Sequence, residues 1–579
     1  MNLRLRGWGV VLYAAVVVAL AIPASAAAHA YLVRTSPSAS SEVDTPPTQV
    51  SLTFDEAVEP RFAIISVTDA GGHQVTSGSP RRSPTDPDTL VVPLKKIAEG
   101  WYLVYWRVIS VDGHPVRGAF LFRVGPNPGP QPQFPIPSIA ESAATPNLVT
   151  ARAITFLSVM CAIGLFVFRI AIARPLIRRV EGTSLRGVSI AFGIAAVIGL
   201  VFTPVYLDIA TAQFALRSAF DVGTLVPLMH DSAFGRGYLD LELCFALFVL
   251  AAGTAIWVDR PTRTQRSVAE LLATAGAIAA AATVLIVPGA AGHAAQTAPR
   301  GLSLAFDWLH LASGSVWVGG LVGILVLWSH LPASRRVSGL AVAIPRFSNT
   351  ALVAVTCLLG TGIGATVIHM PTLAALWQTS YGQAILVKAG LLAAAMMLAA
   401  VNLVRTKPRL VAARQRVELG AAAATSLRRL VGGEAVLVWA AVVTAAVLSS
   451  LAPPPKALAL EGGALARVGP GPVAATVTRN GYTLKVLVSP NRAAYPNDFA
   501  LELSRNAKPV TGATVTVTFA MLDMEMGTQE YGLTETKPGI YSRSSTPSLV
   551  MVGHWGLSFQ VTPRGGTPFT ALVVDRTSG

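Results

Sequence analysis

Eight apolar runs decide what this chain can fold into. They lie at about 150–170, 187–208, 238–257, 268–289, 303–328, 350–369, 383–403 and 433–452. Each is close to the roughly 20 residues that a helix needs to cross the hydrocarbon of a bilayer. The chain is 52% apolar and only 13% charged, with a mean hydropathy of +0.54. That much apolar surface exceeds what one soluble core hides, so the expected class is a multi-pass membrane protein.

The formal charge of +15 does not point to nucleic acid. The first, third, fifth and seventh loops between the runs hold 18 Lys and Arg, whereas the even loops hold only Arg217, Arg236 and Arg300. Such a bias sets topology: the basic loops face the cytoplasm, so both ends of the chain lie outside.

The N-terminus agrees. Residues 1–28 read as a secretory signal, with Arg4 and Arg6, an apolar run from Val10 to Ile22, and small residues at Ala24-Ser25-Ala26-Ala27-Ala28. Cleavage after Ala28 makes His29 the first residue; cleavage after Ala26 leaves Ala27-Ala28-His29. The three cysteines, Cys161, Cys244 and Cys357, fall inside apolar runs, so the exported parts have neither a disulfide framework nor a CxxC site.

Short β-branched and aromatic runs fill residues 29–124, and alternating runs fill 473–579. Both patterns predict small β-sandwiches. Residues 125–148 form a proline-rich linker, 149–453 the eight-helix membrane domain, and 454–472 a second linker. The expected fold class is therefore an all-α membrane domain flanked by two extracytoplasmic all-β sandwiches.

Three clusters carry possible chemistry. The first is His29 with Asp112-Gly113-His114. A free N-terminal amine, imidazole nitrogens and a carboxylate suit Cu(II). The plain alternative is a turn in which Asp112 and His114 bond the backbone. The second cluster is His230, His293, His310 and His369 with Met370, near the outer ends of the helices, where imidazole and thioether could admit copper. Helix-end capping, haem ligation and an Asp307–Lys388 pair compete with that reading. The third is Met521, Met524 and Met526 with Met551 and His554, a thioether set that suits Cu(I) or simply packs a sandwich core.

Family resemblances sharpen these readings. His29-Ala-Tyr-Leu-Val-Arg-Thr-Ser-Pro37, Val50-Ser-Leu-Thr-Phe54, Ser110-Val-Asp-Gly-His-Pro115 and Gly118-Ala-Phe-Leu-Phe122 resemble the CopC family of exported copper-binding proteins. The resemblance implies Cu(II) at His29, Asp112 and His114. Some members add a Met-rich Cu(I) site, but residues 29–124 contain no methionine, so none is expected there. Trp308 to Leu321, Pro345-Arg-Phe-Ser348, Gly360-Thr-Gly362, Tyr381 to Lys388, and Asn402 resemble the CopD family of copper-transport proteins. The stretch from Thr518 through Tyr541 to Trp555 resembles the YtkA-like (FixH-like) domain.

Together these imply a copper-binding plasma-membrane protein, not an enzyme, that captures Cu(II) outside the cell and imports copper. Its partners would be the copper ion, the lipid bilayer and exported copper chaperones or oxidases, with no nucleic acid. The competing functions are copper sequestration or delivery without translocation, and a haem-bearing membrane redox protein. No GxxxxGK[ST] motif is present, so transport would be driven by a gradient or by ligand exchange.

Overall fold

A computed structural model describes residues 32–37, 41–54, 58–109, 115–127, 145–231, 233–263, 265–291, 299–370, 372–413, 420–451, 464–493, 495, 497–522, 528–546, 549 and 552–578. The signal segment, His29, Asp112, His114, His293, Met524, Met526 and Met551 lie outside the described residues. The chain divides into a helical unit and a β unit.

Among the described residues the helical unit contains eight helices long and apolar enough to cross a membrane. They are α1 (Pro146–Phe168), α2 (Arg186–Ala215), α3 (Ala233–Val258), α4 (Val268–Ala291), α5 (Arg300–His330), α6 (Ala333–His369), α7 (Ser380–Val401) and α8 (Gly420–Leu448). All eight expected runs are helices, each starting at or before its apolar stretch.

Helices α1 and α5 form the centre. Their backbones touch: a Cβ added to Gly164 would lie 1.9 Å from the Ser315 carbonyl oxygen and 2.7 Å from Gly319 Cα. In lipid, helices gain little from apolar burial alone, so small residues that permit close approach carry the packing. Around that seam, Phe166, Phe192, Phe245 and Phe248 interlock edge-on or tilted at 5.9–6.3 Å. The outward faces of α2, α3 and α4 leave Ile194, Val201, Leu243, Leu250 and Leu272 exposed, as lipid-facing helices should.

The ends of the helices gather as the charge count requires. Asp259, just after α3, bonds Arg169 at 2.7 Å and Arg174 at 2.8 Å in the first loop. Gly187, at the start of α2, packs on His330 at the end of α5, and Gly420 of α8 packs on Val337 of α6. Arg336 and Arg428 both lie over the Trp328 ring, at 4.1 and 4.5 Å from its centroid. The four odd loops therefore share one face of the bundle. On the other face, Arg152 of α1 meets Tyr206 of α2 and Ser450 after α8, while Tyr206 bonds Tyr238 of α3.

In the β unit, the N-terminal domain has β1 (Leu32–Ser36), β2 (Glu42–Val43), β3 (Gln49–Phe54), β4 (Ile64–Asp69), β5 (Arg81–Arg82), β6 (Thr89–Pro93), β7 (Gly100–Ile109) and β8 (Pro115–Val124). They form two four-stranded sheets, ordered β1-β3-β6-β5 and β2-β8-β7-β4. Alternate residues such as Val50, Leu52, Phe54, Val104, Trp106 and Phe122 fill the space between.

The C-terminal domain has β9 (Ala466–Val468), β10 (Val473–Arg479), β11 (Tyr482–Ser489), β12 (Asn497–Arg505), β13 (Lys508–Pro509), β14 (Thr514–Met521), β15 (Thr528–Lys537), β16 (Ile540–Thr546), β17 (Gly553–Thr562) and β18 (Phe569–Thr577). One hydrogen-bonded path, β10-β11-β12-β16-β15-β14-β17-β18-β9, doubles back on itself. Its halves meet where Tyr482 stacks on Phe569 at 5.0 Å and Phe499 meets Phe519 at 4.8 Å. The β10–β11 turn is Asn480-Gly481, both at positive φ, the pair a two-residue hairpin turn favours.

Candidate copper sites

The N-terminal candidate is approached through its flanks. Strands β7 and β8 are antiparallel, and their register ends at Ile109 opposite Pro115, so Asp112 and His114 belong to the connection. At the same end, the Glu59 backbone N–H donates to the Ile109 carbonyl at 3.4 Å. Glu59 is five residues beyond Phe54, which pairs with Leu32 at the start of β1. The described residues that lead to His29 and to Asp112 and His114 thus converge on one end of the sandwich. The Phe54 ring, edge-on to Trp106 at 5.5 Å, ties the two sheets there.

In the membrane, His310 is on α5 and faces Thr361 of α6, with Nδ1 and Oγ1 3.1 Å apart. Lys388 of α7 is near enough to act electrostatically on His310, and Asp307 on Lys388. Gly289 of α4 packs against the Asp307 carboxylate. These contacts join four helices through polar groups. His369 ends α6, with Nδ1 2.8 Å from the Ala365 carbonyl oxygen. Eight residues separate it from Thr361, about 12 Å along a helix at 1.5 Å per residue. His310 and His369 therefore lie at different depths, against the expectation that both stand near the outer ends; the edge of an apolar run is a poor depth gauge. His230 sits exposed in a short helix, Val222–Asp231, between α2 and α3. Met370 follows His369 directly. Among the described residues no three His, Cys, Asp or Glu side chains come together as a metal site.

In the C-terminal domain, Met521 pairs with Trp555 across β14 and β17. It is 2% exposed and belongs to the sandwich core. His554 is the preceding residue on β17 and is exposed. Alternation along a strand sends the two side chains to opposite faces, so Met521 and His554 are not brought together. The adjacent strand carries a group the sequence reading passed over. Asp575, opposite Trp555, is fully buried and accepts a bond from Asn491 Nδ2 at 2.8 Å. Burial pushes its carboxyl up to about 6, outweighing the bonds from Asn491 and Thr577.

That shift has a definite sign. A carboxyl whose folded pKa is raised stabilises the fold at acid pH, and the advantage disappears as pH climbs from about 4 to about 6, a swing of about 3 kcal/mol for this group. Asp575→Asn keeps an acceptor for Asn491 and should remove this swing. The urea midpoint of the C-terminal domain, read by pulse proteolysis with a C-terminal epitope in the membrane-embedded protein, should rise between pH 7 and 5 more in the parent than in the variant.

Glu434 is a second such group. It lies inside α8, accepts Trp317 Nε1–H at 2.9 Å and is buried. The eighth apolar run begins at 433, which puts Glu434 at its edge in the sequence pattern; the helix starts at Gly420, which sets Glu434 well inside.

An eight-helix bundle preceded by one β-sandwich and followed by another defines a multi-pass membrane protein with two appended β domains. The CopC domain family matches residues 32–125, Copper resistance protein D matches 341–448, and the YtkA-like family matches 476–560. The chain is similar to the copper transport protein CutJ of Bacillus subtilis, with 28% identity over 544 residues, 92% of this chain and 93% of CutJ. Protein YobA of Escherichia coli K12 is 35% identical over 98 residues, 17% of this chain and 79% of YobA. Copper resistance protein C of Xanthomonas campestris pv. juglandis is 34% identical over 107 residues, 17% of this chain and 84% of that protein. The chain belongs to the CopC family of copper resistance proteins, its CopC domain being followed in order by CopD and YtkA-like regions.

Proposed function

We propose that this protein captures Cu(II) outside the cell at His29, Asp112 and His114 and imports copper through the helical unit. The observation that carries the capture step is the convergence of the start of β1 with the ends of β7 and β8 at Ile109 and Pro115. In this reading the amine and imidazole of His29, the Asp112 carboxylate and the His114 imidazole supply a nitrogen-rich set suited to Cu(II). Translocation is supported by the likeness to CutJ, which spans nearly the whole of both chains. It is supported too by the His310, Asp307 and Lys388 group, because polar side chains inside a membrane are costly and usually functional.

In this reading the face that gathers the odd loops is cytoplasmic, both β domains are outside, and residues 1–28 are removed on export. His310 takes copper within the bundle, with His230, His293, His369 and Met370 serving earlier on the outer side. Met524, Met526, Met551 and His554 offer Cu(I) ligands in the C-terminal domain; buried Met521 serves the core.

N-terminal sequencing of the mature protein followed by Cu(II) titration tests the capture step: cleavage after Ala28 or after Ala26 leaves His29 able to share a Cu(II) with the free amine, and a mature protein that takes up no Cu(II) would count against it. For transport, His310→Ala and His369→Ala should each lower copper accumulation in cells, His310→Ala the more strongly. Unchanged accumulation in both would remove the import route. Deletion of the gene should lower cytosolic copper; steady cytosolic copper would favour sequestration or delivery to an exported oxidase.

A further inference from the structure

The helical unit holds a carboxylate that the proposed copper route does not use. Glu434 is 3% exposed and 14 residues into α8. Its polar partners among the described residues are two: Trp317 Nε1–H of α5, at 2.9 Å, and the side-chain amide of Asn402. Trp317 is one of the largest fully buried side chains in the protein. Asn402 opens a π-helical turn, Asn402–Thr406, at the end of α7. The Asn402 Oδ1 atom is buried with no hydrogen-bond partner among the described residues. Single π turns of this kind are frequent at functional positions.

An ionised carboxylate inside a membrane domain needs a compensating positive charge. The charged and titratable groups on the elements packed against α8 are Arg152 and Cys161 on α1; Arg300, Asp307, His310 and His330 on α5; Arg335, Arg336, Arg346, Cys357 and His369 on α6; Tyr381 and Lys388 on α7; Arg405 in the π turn; Lys407 and Arg409 just after it; and Arg428 and Arg429 on α8 itself. None of them acts on Glu434. The Arg152 guanidinium is committed to Tyr206, the Ala446 carbonyl and Ser450, and Arg428 lies over Trp328. A metal ion does not fit either, since both polar neighbours aim N–H donors at the carboxylate and no third ligand of metal type is near. A proton does fit.

We propose that Glu434 is a proton-binding site inside the membrane domain, and that its proton is taken up and released as copper moves. With the carboxylate ionised, Trp317 and Asn402 both donate to it. When a proton adds to the oxygen nearer Asn402, the carboxyl becomes a donor there. The Asn402 amide then turns over so that Oδ1 accepts that O–H, while Trp317 keeps donating to the other oxygen. One O–H bond forms, no other covalent bond changes, and the unpartnered Oδ1 gains its partner. The proton site stands on this geometry alone; its coupling to copper rests on the transport reading above.

The test uses the full-length protein in liposomes and two readouts. Infrared difference spectra across a pH titration without copper should contain a carboxylic-acid C=O band that Glu434→Gln removes and Trp317→Phe shifts. Glu434→Gln should fold, because its amide oxygen still accepts from Trp317 and its NH2 can donate to Asn402 Oδ1. A titration with no band that depends on Glu434 would overturn the site. In the second readout, inward copper movement should respond to an imposed pH difference in the parent and lose that response in Glu434→Gln. An identical response in the two proteins would overturn the coupling. A protein that shows the band but moves no copper at any pH would overturn the transport reading and leave the proton site standing.

Discussion

Gly164→Leu should abolish assembly of the membrane domain. Even a single Cβ at this position would sit 1.9 Å from the Ser315 carbonyl oxygen, where ordinary contact begins near 3.4 Å. Helices α1 and α5 would have to part by more than an ångström at their crossing, and both are central to the bundle. Phe166 and Phe168 of α1 and Trp317 and Leu321 of α5 are all buried beside that seam. Close-packed interiors do not absorb such a shift locally. Overpacking commonly costs about 1–3 kcal/mol, and a branched side chain driven into backbone exceeds that range. Gly164→Ala should give a weaker defect of the same kind. Gly193→Ala on α2 and Gly253→Ala on α3 are controls, because a Cβ there meets nothing within 4 Å. Size-exclusion chromatography of fluorescent fusions in detergent should give a monodisperse peak for the controls and an aggregated profile for Gly164→Leu. A monodisperse Gly164→Leu protein with parental thermal stability would disprove the account.

This seam also explains what part of the CopD-like pattern is for. Ser313, Gly314, Ser315, Gly319, Gly320 and Gly323 are all buried, and they let α5 be gripped by its neighbours. Small residues in an apolar run are visible in sequence, but which partner they meet is not. The number of helices was legible because each run had to satisfy its own backbone hydrogen bonds within the bilayer. The shared face of the odd loops was legible because loop charge sets orientation. Depth was not legible. Helices α5, α6 and α8 extend past their apolar runs, so His310 lies deeper than the sequence suggested and Glu434 well inside the helix. Ligand sets in strands were legible only as far as alternation reaches. Met521 carries a ligand atom, yet its register opposite Trp555 turns it into the core.

Asp259→Ala should be the most damaging single change at the odd-loop face. One carboxylate there serves two buried arginines, Arg169 and Arg174, and all three side chains are under 10% exposed. Removing it strands two cations, and breaking a buried pair from one side typically costs about 3–5 kcal/mol. Burial alone would raise the Asp259 carboxyl, but the bonds and charges of Arg174 and Arg169 outweigh it and hold the group below the usual range. Its contribution is therefore complete above the ordinary aspartate value and is lost as pH falls through the depressed one, so the network should survive mild acidification. Thermal unfolding of purified protein near neutral pH should show a large drop for Asp259→Ala. A triple variant, Arg169→Met with Arg174→Leu and Asp259→Leu, should recover much of the loss, because an apolar replacement strands no charge. If the triple variant is instead the least stable, the ion network itself, not the avoidance of unpaired charge, holds the first and third loops together. Copper accumulation by a stable triple variant then separates the two roles. Parental accumulation would assign the network to folding alone, whereas a stable protein that has lost accumulation would mean that the Asp259 clamp fixes which loops meet and thereby the path through the bundle.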